Sequence, residues 1–208
     1  MTGHYAQVAF TPLVRAHQRA HGSLGSYERM AQVPEVADRI GPDEAWFIGE
    51  RDSFYLATVG ETGWPYIQHR GGAPGFLKVL GERTLGFADF RGNKQYISRG
   101  NLDHDDRVSL FLMDYATQTR MKIFGRARVV EAADDPGLIA ALTIEGYPAR
   151  VERAVLIEVE AFDWNCRQHI PPLFPRAAVA EAMQVLRDRI GELEAEIGRL
   201  RSDSEDRR

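Results

Sequence analysis

The sequence predicts a mainly β fold with added helices, in which antiparallel strands form a barrel or a sandwich. Three observations carry this reading. About seven apolar, β-rich runs lie between residues 53 and 164, mostly joined by short turn-like connections. Short connections favour antiparallel neighbours, because a parallel crossover needs a dozen or more residues. No G-x-G-x-x-G follows any of the runs, so a dinucleotide-binding βαβ unit is not supported. Helical periodicity is concentrated towards the two ends of the chain and in short insertions.

In chain order, residues 1–45 read as an N-terminal helical arm. "TPLVRAHQRAHGS" spaces Leu13, Val14, His17 and Ala20 near a helical repeat, and "YERMAQ" gives a second short stretch after a Gly-Ser break. "GPDEAWFIGERDS" predicts a helix with Pro42 and two acids in its first turn, where proline's missing N–H costs nothing and the helix dipole favours negative charge. The period then changes. "SFYLATV", "ETG" and "WPYIQHR" read as strand, tight connection and strand. "GFLKVL", "TLGFADF", "RVSLFLMDY", "TRMKIFGRARVVEA" and "RAVLIEVEAFDWN" supply the other strands, and "DDPGLIAALTIEGY" is a helix capped by Asp134 or Asp135. At the C-terminal end Val179, Met183, Leu186, Ile190, Leu193, Ile197 and Leu200 alternate steps of four and three. This heptad seam predicts an amphipathic helix that packs on its own barrel or forms a short coiled coil between subunits.

Composition narrows the function. The chain has 208 residues, 44% hydrophobic and 27% charged, which suits one folded domain with appendages. Lys and Arg total 26 against 30 Asp and Glu, a net charge of −4, so no global field favours nucleic acid. Neither a signal-peptide core nor an apolar run near 18 residues is present, and the expected location is cytoplasmic. The single cysteine, Cys166, excludes an intrachain disulfide framework and fits a reducing compartment; it reads as a redox thiol or as a small buried hydrophobe. His17 and His21 form an i, i+4 pair without an accompanying carboxylate cluster, so no metal site is expected.

Two polar islands interrupt the β pattern. In "YIQHRGGAPGF" the glycines after Arg70 let a backbone approach something closely, and the arginine suggests an anion. In "FADFRGNKQYIS" Gly92 and Asn93 stand where an N-cap would sit, with Lys94 in the expected first turn, a place where amides and charge attract anions. Each island alone also fits a surface charge, a β-bulge or an ordinary cap. On neighbouring strands they would converge on one phosphate.

The ordered set "FYLATVGETGWPYIQHRGG", "PGFLKVL", "TLGFADFRGNKQYIS", "RVSLFLMDY" and "MKIFGRARVV", with the later "FDWNCRQHIPP", resembles the pyridoxamine 5′-phosphate oxidase-like family of flavin-binding split β-barrels. Within that family it is most similar to the branch described as predicted flavin-nucleotide-binding proteins. The resemblance implies an antiparallel split β-barrel, placed over residues 46–172; the heptad helix and polar tail follow over 173–208. The resemblance also implies FMN held at the interface of a homodimer. Position by position, Arg70 and Lys94 resemble phosphate ligands, helped by Asn93 and the amides around Gly71 and Gly92, with Ser98 and Asn101 further along the same helix. Gln118 and Arg120 are similar to positions that reach the cofactor, and Arg120 or Arg167 would place a positive group near the flavin N1 and O2. His69, Gln168 and His169 would hydrogen-bond the ring or the substrate; His169 reads equally as a structural histidine.

The Arg-Leu-His-type segment that holds substrate phosphate in true pyridoxamine 5′-phosphate oxidases is replaced here by the heptad helix and "SDSEDRR". The expected function is therefore an FMN-dependent oxidoreductase of unassigned small-molecule substrate. A non-catalytic flavin carrier or sensor with a coiled-coil partner helix is the alternative. A barrel for deazaflavin or haem is a third, His69 or His169 being the axial candidates for haem.

Overall fold

A computed structural model describes residues 2–32, 36–164 and 168–205. Seven strands form one sheet: β1 (Ser53–Val59), β2 (Pro65–Gly71), β3 (Lys78–Gly81), β4 (Thr84–Phe90), β5 (Arg107–Asp114), β6 (Thr119–Glu131) and β7 (Val151–Trp164). Their order is β2-β1-β5-β6-β7-β4-β3, and every pairing is antiparallel. The expected split-barrel class is the one observed.

Alternation along the strands builds the core. Phe54 and Leu56 of β1, Leu110 and Leu112 of β5, and Met121 and Ile123 of β6 are all buried. Residues i and i+2 of a strand share a face, and full burial of each such side chain stabilises the fold by about 1.5–3 kcal/mol. Phe54 stacks on Phe76 with centroids 5.5 Å apart and meets Phe87 edge-on at 5.3 Å. The sheet also rolls. Although β2 is one edge and β4 lies next to the other, Arg70 of β2 and Asp89 of β4 form an ion pair at 2.7 Å.

The two longest strands, β6 and β7, stay paired through a register shift between Phe124 and Gly125. A Cβ on Gly125 would lie 2.6 Å from the Glu158 carbonyl oxygen, so the strands approach here more closely than any side chain allows.

Short helices surround the sheet. Helix α1 (Gly3–Ala9), a turn too short to show periodicity in the sequence, is capped by Thr2, whose hydroxyl accepts from the Tyr5 amide. Tyr5 stacks on Phe124 at 4.9 Å and lies beneath the Lys122 ammonium, which pairs with the buried Asp163 at 2.8 Å. Then come α2 (Pro12–Ala20), α3 (Leu24–Ala31) and α4 (Pro42–Gly49), the last with Asp43 and Glu44 in its first turn as the sequence predicts. Glu44 also accepts from the Trp164 indole N–H at 3.0 Å. Helix α5 (Ile97–His104) follows β4, and α6 (Pro136–Leu142) starts at Asp135, whose side chain accepts from the Leu138 amide at 2.9 Å.

The chain divides into two compact units. One, Met1–Asp114 with Gln118–His169, holds the sheet and α1–α6. The other, Tyr115–Thr117 with Ile170–Arg208, holds α7 (Arg176–Glu205), a 30-residue helix about 45 Å long at 1.5 Å per residue. No helix among the described residues is long and apolar enough to cross a membrane.

Candidate functional site

The two polar islands meet in one cleft. On β2, Tyr66, Gln68 and Arg70 share a face by the two-residue repeat and line a cavity of about 220 Å³. Opposite them, residues 92–99 bring Gly92, Asn93, Lys94 and Ser98 to the same space. Its remaining wall includes Asp89 from β4, and Glu152 and Arg153 from β7.

The second island is built differently from expectation. Helix α5 begins at Ile97, with Tyr96 as its N-cap in the left-handed region (φ 54°) and no side-chain cap bond. Gly92 and Asn93 therefore precede the helix by a full turn, and Lys94 (φ 61°) is not part of its first turn. The Asn93 side chain accepts from the Gln95 amide at 3.2 Å, a local turn that competes with helix and delays its start. Ser98 alone of the expected residues on α5 faces the cleft and is buried.

Charge in the cleft favours an anion. Arg70, Lys94, Arg99 and Arg153 stand against Asp89 and Glu152. Asp89 is shared, 2.7 Å from Arg70 and 3.6 Å from Arg153, its register partner on β7. Burial pushes the Asp89 carboxyl above its ordinary value, although both guanidiniums pull it down. Arg99 is committed to Asp103 and, at 3.6 Å, to Glu131, and Arg153 also meets Glu152 at 3.1 Å. The buried Arg153 Nε also lacks a hydrogen-bond acceptor among the described residues, its carboxylate neighbour Glu131 lying 3.6 Å away, but the cations least committed to carboxylates are Lys94 and Arg70. Lys94 makes no ion pair among the described residues, and the Arg70 Nε is buried with no hydrogen-bond acceptor among them.

Of the described residues singled out in the sequence, Arg70, Gly92, Asn93, Lys94 and Ser98 line this cleft, and the other described ones lie outside its lining. His69 sits on the opposite face of β2, its ring edge-on to Tyr55 at 5.6 Å. Gly71 ends β2, paired with Ser53. The Asn101 side-chain amide donates to the buried Thr58 hydroxyl at 2.9 Å. Gln118 (φ 56°) occupies the turn before β6, and Arg120 follows on β6 opposite Met113. Gln168 and His169 (φ 64°) are exposed beyond β7. Cys166 and Arg167 lie outside the described residues. Sequence reasoning missed Tyr66, Gln68, Asp89 and Arg153. The alternation that puts Tyr66 and Gln68 beside Arg70 was readable; the pairing that brings Arg153 beside Asp89 is long-range and was not.

The described residues thus form an antiparallel split barrel with a cationic cleft at its closing edge. Residues 43–167 match the family model of pyridoxamine 5′-phosphate oxidase, and the chain belongs to that family. Among solved structures it is similar to a general stress protein 26-related protein of the pyridoxinephosphate oxidase family from Clostridium acetobutylicum (14% identity, 66% of this chain and 94% of that one, TM-score 0.47). It is also similar to the general stress protein 26 of Bacillus anthracis (15%, 64% and 96%, TM-score 0.44) and to an F420 reductase (18%, 59% and 98%, TM-score 0.42). No curated protein matches the chain.

Proposed function

We propose that this chain is an FMN-dependent oxidoreductase that holds the FMN phosphate in the cleft between β2 and residues 92–99. Membership of a family that generally binds flavin supports the cofactor class. The observation that carries the position is a pair of cations in one cavity, the Arg70 Nε without an acceptor and Lys94 without an ion pair among the described residues. Arginine offers a planar fork of parallel N–H donors to phosphate, while lysine adds a compact charge. Asn93 and Ser98 supply polar groups beside them. Bound flavin would supply the redox chemistry, and the chain's task is to anchor and orient it.

The cavity also supports a dimer. Ligand pockets usually span about 300–1,000 Å³, so about 220 Å³ suits a phosphate and its adjoining chain better than a whole flavin nucleotide. A second subunit would complete the slot for the ring. On the face of β1 and β2 opposite the cleft, Tyr55, Ile67 and the neighbouring Trp64 are all exposed and offer an apolar surface for a subunit contact. Dimers are common in the family.

The test is the visible spectrum of the protein as purified and again after FMN addition and desalting, with the released cofactor identified after denaturation. Retained flavin absorption, bleached by a nicotinamide donor and restored by an acceptor, is the expected result. A protein that never retains flavin would overturn the reading. One that retains flavin without turning over would be a carrier.

A further inference from the structure

The seam of α7 has a partner written into its flanking charges. As a heptad, Met183, Ile190 and Ile197 occupy the a positions and Val179, Leu186, Leu193 and Leu200 the d positions. All seven are exposed, between 41% and 63%. Gly191 and Gly198 both fall at b, on the outer surface, and leave the seam unbroken.

In parallel coils, β-branched residues at a with leucine at d favour two strands, and Ile190 and Ile197 with Leu186, Leu193 and Leu200 follow that pattern. In such a pair held in register, each g residue faces the e residue five positions further along the other helix. Arg189 at g then meets Glu194, and Glu196 at g meets Arg201. The remaining pair, Ala182 with Arg187, brings no like charges together. We propose that α7 pairs with α7 of a second copy of this chain as a parallel, in-register, two-stranded coiled coil. An antiparallel pair seating Ile190 on Leu193 would also match charges, Arg187 with Glu194 and Arg189 with Glu196. It would, however, mix the isoleucine and leucine layers that the parallel arrangement keeps separate.

The test uses the full-length chain with Cys166→Ser, carrying either Leu200→Cys on the seam or Ser202→Cys at the outer f position. In the parallel pair Leu200→Cys gives a reducible covalent dimer at least tenfold faster than Ser202→Cys. Adding Arg189→Glu to the Leu200→Cys chain slows this crosslink about tenfold, and adding Glu194→Arg as well restores it. Equal rates at positions 200 and 202 would overturn the proposal, as would happen if the seam packed on its own chain. So would further slowing by the double charge reversal, the antiparallel result. None of these readouts depends on flavin.

Discussion

Arg70 and Asp89 lie 2.7 Å apart, joining an edge strand to the strand next to the opposite edge of the sheet. The same contact closes the barrel and forms the floor of the proposed phosphate site. Arg70 therefore has two demands upon it. One guanidinium nitrogen is spent on Asp89, while its buried Nε has no acceptor among the described residues.

Removing the two available cations should weaken FMN binding in steps. Each charge-assisted contact is worth roughly 1.5–3 kcal/mol, so Lys94→Ala should raise the Kd by roughly ten- to a hundredfold, with the melting temperature little changed. Arg70→Ala should cost at least as much and also lower stability, because Asp89 loses its nearest partner. Titration of the apoprotein with FMN, followed by fluorescence quenching, measures both; a Lys94→Ala Kd within threefold of wild type would place the phosphate elsewhere.

Asp89 makes a pH prediction. Burial raises its carboxyl in the folded protein, so the folded chain keeps this proton to a higher pH than the unfolded chain does. Its titration therefore contributes stability that is fully present below the unfolded aspartate range and is lost as pH rises through the folded value. Asp89→Asn removes that dependence. Denaturant unfolding between pH 4 and about 7 should show the wild-type advantage over Asp89→Asn shrinking as pH rises. An advantage that grows instead would mean the guanidiniums of Arg70 and Arg153 outweigh burial.

Gly125→Ala should destabilise the sheet. Its new Cβ would meet the Glu158 carbonyl oxygen at 2.6 Å and the Ile157 side chain at 2.8 Å. Backbone cannot yield as a flexible side chain does, and a cost of about 1–3 kcal/mol corresponds to a Tm lower by about 2–12 °C. Gly191→Ala on α7, where an added Cβ meets nothing within 4 Å, should do the reverse and gain up to about 1 kcal/mol. Thermal melts of the two variants compare the effects directly.

Lys122 should matter more than a surface lysine. Burial lowers its affinity for a proton, but the hydrogen bonds with Asp163 and Tyr5 outweigh burial and hold its pKa above the ordinary value. Lys122→Met takes the cation from a carboxylate that is 1% exposed, and should cost about 3 kcal/mol. Adding Asp163→Asn should recover part of that loss, which a double-mutant cycle in urea would measure.

Strands were legible in the sequence where alternation and turn residues agree. "TLGFADF" coincides with β4, and "DDPGLIAALTIEGY" contains α6 with its aspartate cap. "GFLKVL" was too generous, since Phe76 and Leu77 are buried loop residues and β3 starts at Lys78. The start of α5 was misplaced because Asn93 and the positive φ angles at Lys94 and Tyr96 prolong the loop. Arg70 and residues 92–98 do converge, but not on neighbouring strands as the sequence suggested: β2 and β4 stand near opposite edges of the sheet, and its rolling brings them together. The contributions of Asp89 and Arg153 were not legible, since they depend on a pairing between residues 64 positions apart.

The order of the sheet has a consequence for synthesis. Among the described residues β7 alone is hydrogen-bonded to both β6 and β4, stitching the β2-β1-β5-β6 half to the β4-β3 hairpin. It is also the last strand of this sheet to leave the ribosome. Until Val151–Trp164 emerges, the nascent chain holds two half-sheets with open edges at β6 and β4. Closure must wait for residues 151–164, and unpaired edges are where a growing chain is open to a neighbour's strand.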